Sequence, residues 1–351
     1  MPVTFESRAT PGLEPGPEPG LNPDLEPGLE SEAGIPVVPV DRESRAQVHA
    51  VADRLCSAAG GVIDDPRWAA AASDAWSDLP AGLRRDLLRF RRDSGPTGTL
   101  LVRGLPVDEQ ALPGTPAVPG SVQRQATVPA GTLVMIAAGL GDPAAFRPEK
   151  SGALVQDVVP VPGQEEFQGN AGSVRLGFHN ENAFHPHRPD FVMLLCLRSD
   201  HEGIAGLRTS CVRQVLPLLT PDARTALSAP EFVTAPPPSF GAGSGGTEPH
   251  AVLHGAPDDP DLRVDLEATR PLTGRAADAL LELQRLFDLT ASTVLLTPGD
   301  LAVVDNRVTV HGRTGFRPRY DGRDRWLQRS FVLADLRRSR PHRTGDGHVL
   351  D

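Results

Sequence analysis

A histidine and a glutamate two residues apart carry the strongest chemical signal in the sequence. His179 and Glu181 lie in a strand-like run within residues 176–190. Side chains alternate between the two faces of a strand, so these two point to the same side. An imidazole and a carboxylate on one face supply two thirds of a 2-His-1-carboxylate site for non-haem Fe(II), which keeps coordination positions open for a cosubstrate and oxygen. The pair therefore predicts iron chemistry if the chain provides a second histidine.

His311 is the best candidate for that third ligand among the ten histidines of the chain. It ends an apolar strand-turn-strand unit at residues 301–313, whereas His185 and His187 are flanked by prolines that interrupt a strand. A lone histidine in an apolar unit is usually a core residue, so the assignment needs support from elsewhere in the chain.

Two arginines further along the chain give that support. In the strand-like run at residues 324–333, Arg325 and Arg329 share a face with Leu327 and Phe331. Arginines that point into an apolar interior are costly unless each meets a carboxylate. An Fe(II) oxygenase that uses 2-oxoglutarate needs such a group, because the distal carboxylate of the keto acid requires a bidentate cation.

Four segments resemble the clavaminate synthase-like branch of the Fe(II)/2-oxoglutarate oxygenases, which includes amino-acid hydroxylases of peptide antibiotic pathways. They are residues 179–192, 304–307, 310–313 and 316–327. The resemblance implies that His179, Glu181 and His311 bind iron, that Arg325 clamps 2-oxoglutarate, and that oxygen is the second cosubstrate. In this branch a threonine that helps to hold the keto acid is usual where this chain has Leu207. Thr209, two residues on, is the position expected to replace it.

Within this branch the chain most resembles the enzymes that hydroxylate free asparagine. That resemblance implies that Glu149 binds the amine of the substrate, that Arg329 binds its carboxylate, and that Asn170 and Asp265 contact its side chain. A carboxylate at Asp265 would accept hydrogen bonds from an amide and would repel an acidic side chain. Arg263, two residues before Asp265, is expected to disfavour a cationic substrate.

The predicted activity is therefore hydroxylation of a free L-amino acid, at the β-carbon and with asparagine or a similar neutral polar amino acid as substrate. Three alternatives stay open. The substrate is arginine or lysine, or it is an aminoacyl group on a carrier protein, or the chain is a non-catalytic relative that only binds.

The helical and strand-like patterns around these residues predict a mixed α+β fold. Helical periodicity is found at residues 42–60, 66–92 and 275–289. Strand-like runs are found at residues 100–106, 154–161, 174–180, 191–197, 263–266, 301–305, 309–312 and 326–334. Many short strands with turn-rich links favour a double-stranded β-helix, or jelly roll, flanked by helices.

The predicted organisation is a single oxygenase domain at residues 41–340, with a helical part at 41–95 and the jelly-roll core at 96–335. Residues 1–40 are rich in Pro, Gly and Glu and are expected to be a disordered tail, and residues 341–351 a flexible one. The Pro-Gly-Ser-rich stretch at 236–246 is either a mobile lid or a surface loop without function.

Composition restricts the partners and the compartment. The formal net charge of -10 argues against nucleic acid and anionic membranes, which both need a basic surface. Three cysteines without metal-binding spacing are expected to be reduced thiols of a cytoplasmic protein. No signal peptide or membrane-spanning run is expected. The predicted partner is a small-molecule amino-acid substrate, with a carrier protein as the alternative.

Overall fold

The structure is a computed structural model that describes residues 30–32, 34–241 and 246–351. Within these residues the helices are α1 (Arg42–Leu55), α2 (Pro66–Ala75), α3 (Ala81–Arg92), α4 (Val128–Leu140), α5 (Val212–Val215), α6 (Pro221–Leu227) and α7 (Gly274–Thr290). The strands are β1 (Glu30–Glu32), β2 (Ile35–Pro39), β3 (Thr99–Arg103), β4 (Asp142–Phe146), β5 (Gln156–Val158), β6 (Leu176–His179), β7 (Phe191–Arg198), β8 (Leu207–Cys211), β9 (Phe232–Thr234), β10 (Leu253–Ala256), β11 (Asp259–Leu262), β12 (Thr269–Pro271), β13 (Ser292–Val294), β14 (Leu301–Asp305), β15 (Thr309–Arg313), β16 (Trp326–Leu333) and β17 (Val349–Leu350).

Several helices begin where the sequence supplies a capping side chain. Asp41, Asp65, Thr127 and Thr273 each accept a hydrogen bond from a backbone N–H in the first turn of α1, α2, α4 and α7. Proline occupies the first turn of α2 and α4, where its missing N–H costs nothing. Capping residues and prolines thus fix these starts locally, and tertiary packing then stabilises the helices.

Two sheets form the centre of the molecule. The larger sheet has the strand order β1-β2-β3-β14-β7-β16-β4-β17, with β5 also paired to β16, and the smaller sheet has the order β13-β8-β15-β6. Two further pairs, β10-β11 and β9-β12, lie outside them. The fold is therefore mixed, with several sheets and with helices around them, as the sequence predicts.

The buried side chains arrange these elements in layers. Helices α1 to α4 pack on one face of the larger sheet, where Trp326 and Val332 of β16 join their core cluster. Leu327 and Phe331 of the same strand point the other way and meet Leu207 of the smaller sheet. The outer face of the smaller sheet packs on α5, α6 and α7. The space between the two sheets is thus where inward-pointing residues of both can meet.

The observed elements differ from the predicted ones at both ends of the chain. Residues 35–39, expected to be part of the tail, form β2, which pairs in parallel with β3 and buries Ile35. The C-terminal residues, expected to be flexible, include the fully buried Leu350 in β17, which pairs with β4. Residues 1–29 lie outside the described part of the chain, so the prediction for them has no structural counterpart.

Two interior predictions also need correction, and one interior helix was missed. The helical pattern at residues 66–92 is split into α2 and α3, because Pro80 ends the helical backbone between them. Residues 263–266 do not form a strand and make only one isolated bridge, between Asp265 and His179. Helix α4 was not predicted: ten of its thirteen residues are buried, so its sequence is apolar on every side and has no helical period to recognise.

Cys196 and Cys211 are buried free thiols, and Cys56 is a half-buried one. In the described residues, no helix combines the length and the apolar character needed to cross a membrane.

Candidate active site

The inner face of the smaller sheet brings the three predicted metal ligands together. His311 of β15 lies directly opposite His179 of β6, and their rings are 4.4 Å apart between centroids. Glu181 follows β6, and its Oε2 is 3.7 Å from His311 Nε2. Donor atoms of all three side chains lie within 4.8 Å of one another. Two imidazoles and a carboxylate at this separation are the donor set of a 2-His-1-carboxylate iron site.

The state of the two imidazoles fits a metal site. His179 Nδ1 is 3.0 Å from the carbonyl of Gly177, which leaves Nε2 as its free ring nitrogen. His311 is buried, and its Nδ1 has no hydrogen-bond partner among the described residues. Burial, followed by the nearby His179 and Arg329, lowers the pKa of His311 well below its usual value. A neutral imidazole is the form that binds a metal.

Two asparagines hold the ligand-bearing loop in place. Asn180, between the ligands, points away from the metal site and donates to the carbonyls of Asn306 and Thr309 at 2.9 and 3.0 Å. Asn306 accepts from the N–H of Glu181 at 2.7 Å and donates to its carbonyl at 3.1 Å. Both side chains are almost fully buried, so their hydrogen bonds fix the backbone on either side of Glu181.

Arg329 lies at the centre of a group of polar residues next to the metal ligands. Its Nη1 is 2.8 Å from Oε2 of Glu181, and its Nη2 pairs with Glu149. Nη2 also donates to the side-chain oxygen of Gln156. Asn170 accepts from Nη1 and Nη2 at 2.9 and 3.2 Å when its amide oxygen faces the guanidinium. Glu149 and Asn170, two of the predicted substrate-binding residues, therefore meet at the guanidinium of a third, Arg329, which contacts the metal ligand Glu181.

Glu149 is a partly buried carboxylate of this group. Burial raises the pKa of Glu149, while the guanidinium of Arg329 acts in the opposite direction. Oε2 of Glu149 also accepts from Asn182 at 3.3 Å. A carboxylate in such surroundings needs a cation to remain ionised, and both Arg329 and an ammonium group could serve as one.

Asp265 lies on the other side of the metal ligands, where it bridges to His179 through the backbone. Its Oδ1 accepts from the N–H groups of Glu267 and Ala268 at 2.8 and 3.1 Å, which fixes the carboxylate at the cavity wall. Arg263 does not accompany it: its guanidinium donates to the carbonyls of Ala183 and Phe184. The expected cation beside Asp265 is therefore not found, because residues 263–266 lack the strand geometry that would put both side chains on one face.

Arg325 and Thr209 both lie next to β15, the strand that carries His311. Thr209 of β8 lies directly opposite His311 and is buried. Arg325 is 6% exposed and lies over the ring of Phe316, 5.9 Å from its centroid. It forms no ion pair with the residues that the structure describes, and burial lowers its pKa. A buried guanidinium of this kind suits an anionic ligand.

A cavity of about 730 Å³ gives access to the site. Its walls include both His179 and Glu181, together with the predicted substrate residues Glu149, Asn170, Asp265 and Arg329. His311 and Arg325 are not among the lining residues, and both are buried. The short segment Pro238–Phe240 forms part of the rim, and the ring of Phe240 packs on Phe184 at 4.7 Å. Residues 242–245 of the predicted lid lie outside the described chain.

The structure adds residues that the sequence did not single out. Gln156 and Asn182 contact Arg329 and Glu149, and Asn306 positions Glu181. Their partners are between 33 and 173 positions away in sequence, so no local pattern marks them. One signal for Asn306 was available in the sequence. Asn306 directly follows the apolar strand β14, and an amide at the end of a buried strand needs hydrogen-bond partners.

Comparisons with known proteins agree with this geometry. No protein-family model matches the chain. It is 64% identical over 313 residues to the L-asparagine oxygenase of Streptomyces coelicolor, covering 89% of this chain and 94% of that protein. It is 35% identical over 263 residues to clavaminate synthase 2 of Streptomyces clavuligerus, covering 73% of this chain and 80% of the relative.

A solved structure shows the same relationship in three dimensions. Asparagine oxygenase in complex with Fe(II), 2S,3S-3-hydroxyasparagine and succinate matches with a TM-score of 0.88 at 64% identity, covering 90% of this chain and 98% of that one. The sequence relatives, the structural match and the His-Glu-His donor set lead to one assignment. The chain belongs to the clavaminate synthase-like family of Fe(II)/2-oxoglutarate-dependent non-haem iron oxygenases.

Proposed function

We propose that this protein hydroxylates the β-carbon of free L-asparagine, with Fe(II) as its metal and 2-oxoglutarate and oxygen as cosubstrates. The observation that carries the proposal is the position of Arg329, which contacts the metal ligand Glu181 with Nη1 and Glu149 with Nη2. A cation and an anion side by side are complementary to the two charges of a free amino acid, and here they lie against the metal site.

Each end of the amino acid has a partner in this arrangement. The substrate carboxylate binds Arg329, and the ammonium group binds Glu149, so the internal ion pair is exchanged for two intermolecular ones. The exchange keeps every buried charge neutralised, which is necessary in a shielded site. The Cα and Cβ atoms then lie between Arg329 and Asp265, in front of the metal ligands.

Asp265 and Asn170 are suited to a carboxamide side chain. The carboxylate of Asp265 accepts from an amide NH2, and the amide of Asn170 completes the polar wall. An aspartate side chain would place a second carboxylate against Asp265, so the site rejects it. Because Arg263 is engaged elsewhere, selectivity against cationic side chains comes instead from Arg270, which lines the cavity.

The roles of the remaining residues follow from their positions. His179, Glu181 and His311 would hold iron, while Arg325 and Thr209 would hold the distal carboxylate of 2-oxoglutarate. When bound, iron supplies the oxidising chemistry that is driven by decarboxylation of the keto acid to succinate. The protein contributes orientation and the exclusion of water, in which the aromatic pair Phe184 and Phe240 shields the cavity rim.

We extend the proposal to the fold type of the core and to the cellular compartment of the protein. The two facing sheets, with the metal ligands on β6 and β15 between them, support the expected double-stranded β-helix. The free cysteines fit a reducing compartment, and we place the reaction in the cytoplasm.

A substrate screen tests the proposal. The full chain is incubated with Fe(II), 2-oxoglutarate, oxygen and each of the twenty L-amino acids, and both succinate and the amino-acid product are quantified by mass spectrometry. L-Asparagine should give succinate and a product heavier by one oxygen atom, located at Cβ by NMR. L-Aspartate and D-asparagine are the matched controls and should give neither. Turnover of only a carrier-bound aminoacyl substrate, or of no neutral amino acid, would overturn the proposal.

A further inference from the structure

The chain contains 34 arginines but only one lysine, Lys150, and that lysine lies in the wall of the active-site cavity. It directly follows Glu149, and its side chain is directed toward neighbouring backbone rather than toward bulk water. Elsewhere the protein uses arginine for each of its cationic side chains. The exception indicates a position where a compact ammonium group is required and a planar guanidinium is not equivalent.

The ammonium group of Lys150 connects three segments. Its Nζ donates to the carbonyl of Ser121 at 3.2 Å and to the carbonyl of Asp157. Asp157 is itself fixed, because its Oδ2 accepts from Ser121 Oγ at 2.6 Å and its Oδ1 accepts from the indole of Trp326 at 2.8 Å. Lys150 thereby attaches its own loop to β5 and, through Asp157, to β16.

The backbone of this loop would not keep its shape without such contacts. Lys150 has φ +47° and Ser151 has φ +55°, so two consecutive residues other than glycine adopt the left-handed region. This conformation costs free energy and persists only where surrounding interactions impose it. The two hydrogen bonds of the ammonium group hold Lys150 in this conformation together with two backbone hydrogen bonds, from the N–H of Gly152 to the carbonyl of Glu149 and from the N–H of Ala153 to the carbonyl of Lys150.

Glu149 and Gln156 directly precede Lys150 and Asp157 in sequence, the two residues that the ammonium hydrogen bond joins. Both side chains accept from Nη2 of Arg329. We infer that Lys150 is a positioning residue that holds Glu149 and Gln156 on Arg329 and so preorganises the site for the amino-acid substrate. The inference rests on the proposed function, because it assumes that Glu149 and Arg329 bind the amine and the carboxylate of that substrate.

The choice of lysine follows from the acceptors. Two carbonyl oxygens from different segments converge on one nitrogen, which an ammonium group satisfies with two of its three N–H bonds. A guanidinium spreads its donors over a planar fork and would force the two segments apart. Lys150→Arg should therefore weaken asparagine binding as the neutral substitution Lys150→Met does, although it keeps the positive charge.

The test measures binding of each ligand separately in full-length, Fe(II)-loaded protein without oxygen. Dissociation constants for L-asparagine and for 2-oxoglutarate are obtained by calorimetry for the wild type, Lys150→Met, Lys150→Arg and Arg147→Met. Arg147 is the matched control, since it belongs to the same loop but pairs with Asp351 at the surface. Both Lys150 variants should weaken asparagine binding at least tenfold with 2-oxoglutarate binding unchanged, and the Arg147 variant should change neither.

Turnover with oxygen gives a second readout. The amount of hydroxylated product per succinate should fall in the Lys150 variants, because a misplaced substrate lets the keto acid be consumed without hydroxylation. Wild-type asparagine binding in a folded Lys150→Met protein would overturn the inference. So would an equal loss of affinity for both ligands, which would show a merely structural role. If thermal melting shows that Lys150→Met is unfolded, Lys150→Gln is judged by the same criteria.

Glu149→Gln separates this inference from the proposed function. If it binds asparagine as the wild type does, the proposed role of Glu149 is wrong and the inference fails with it. If Glu149→Gln loses affinity and Lys150→Met does not, only the inference fails.

Discussion

Two buried arginines, Arg329 within β16 and Arg325 directly before it, lie in opposite electrostatic surroundings. Arg329, 3% exposed, pairs with two carboxylates, Glu149 and Glu181, and also with Gln156. Arg325, 6% exposed, has no carboxylate partner among the described residues. Its neighbour Arg313 is also buried, and burial together with Arg325 lowers the pKa of Arg313 to about 9. One end of the site is therefore neutralised by the protein, and the other carries excess positive charge.

This difference matches the net charge of the two organic ligands. 2-Oxoglutarate is a dianion, so it can neutralise a region that the protein leaves positive. Asparagine is a zwitterion without net charge, so it fits a region in which cation and anion are already balanced. A buried charge must find its partner somewhere. Under the proposed roles of Arg325 and Arg329, the protein supplies the partner charge where the ligand is neutral, and the ligand supplies it where the ligand is charged.

The substitution Glu181→Ala should have the largest effect on iron binding and activity, because Glu181 serves both the metal site and Arg329. In Glu181→Ala the iron site loses one of its three donors and Arg329 loses one of its two ion-pair partners. Because changes outside the metal ligands already cost about 10–100-fold in metal affinity, Fe(II) should bind at least about 100-fold more weakly. Equilibrium dialysis of Fe(II) and product analysis measure this. His187→Gln is the control for a histidine of the same region and should retain both iron binding and activity.

Exchange of each arginine for methionine should change stability in opposite directions. Arg329→Met leaves Glu149 and Glu181 buried without their cation and should lower the free energy of unfolding by about 3–5 kcal/mol. Arg325→Met removes a desolvated cation without a protein partner and should raise it. Urea denaturation without cosubstrate measures both. Equal losses in the two variants would show that the two ends do not differ as described.

The smallest effect on cosubstrate binding is expected for Thr209, the second residue proposed to hold 2-oxoglutarate. Thr209→Val removes one hydroxyl opposite His311 and preserves the shape of the side chain. The loss of a single hydrogen bond is worth about 0.5–1.5 kcal/mol, so the KM for 2-oxoglutarate should rise by up to about tenfold. The KM for asparagine should stay constant. A change confined to asparagine would move Thr209 to the other end of the site.

The sequence predicted those parts of the site that depend on local pattern. The alternation along residues 176–181 and 325–331 was enough to pair His179 with Glu181 and Arg325 with Arg329. The apolar unit at residues 301–313 indicated His311, and the resemblance then supplied Glu149, Asn170 and Asp265, which the structure places in the wall of one cavity. In β16 both faces are buried, and the polar alternation is visible because arginines occupy alternate positions on the face that points toward the smaller sheet.

The parts that were missed depend on contacts between distant segments. Helix α4 is surrounded by other elements, so it lacks the polar face that periodicity needs. Arg263 was placed wrongly because the strand assumed for it is an irregular segment. Gln156 and Lys150 acquire their roles only when β5, the loop after β4 and β16 come together.

The central claim is that Arg325 serves the keto acid and Arg329 the amino acid. Dissociation constants of 2-oxoglutarate and L-asparagine, measured without oxygen for the wild type, Arg325→Gln and Arg329→Gln, test it directly. The account predicts a crossed result: Arg325→Gln weakens 2-oxoglutarate binding by about 2–5 kcal/mol with little change for asparagine, and Arg329→Gln does the reverse. Parallel losses of both ligands in both variants, or the opposite pairing, would contradict it.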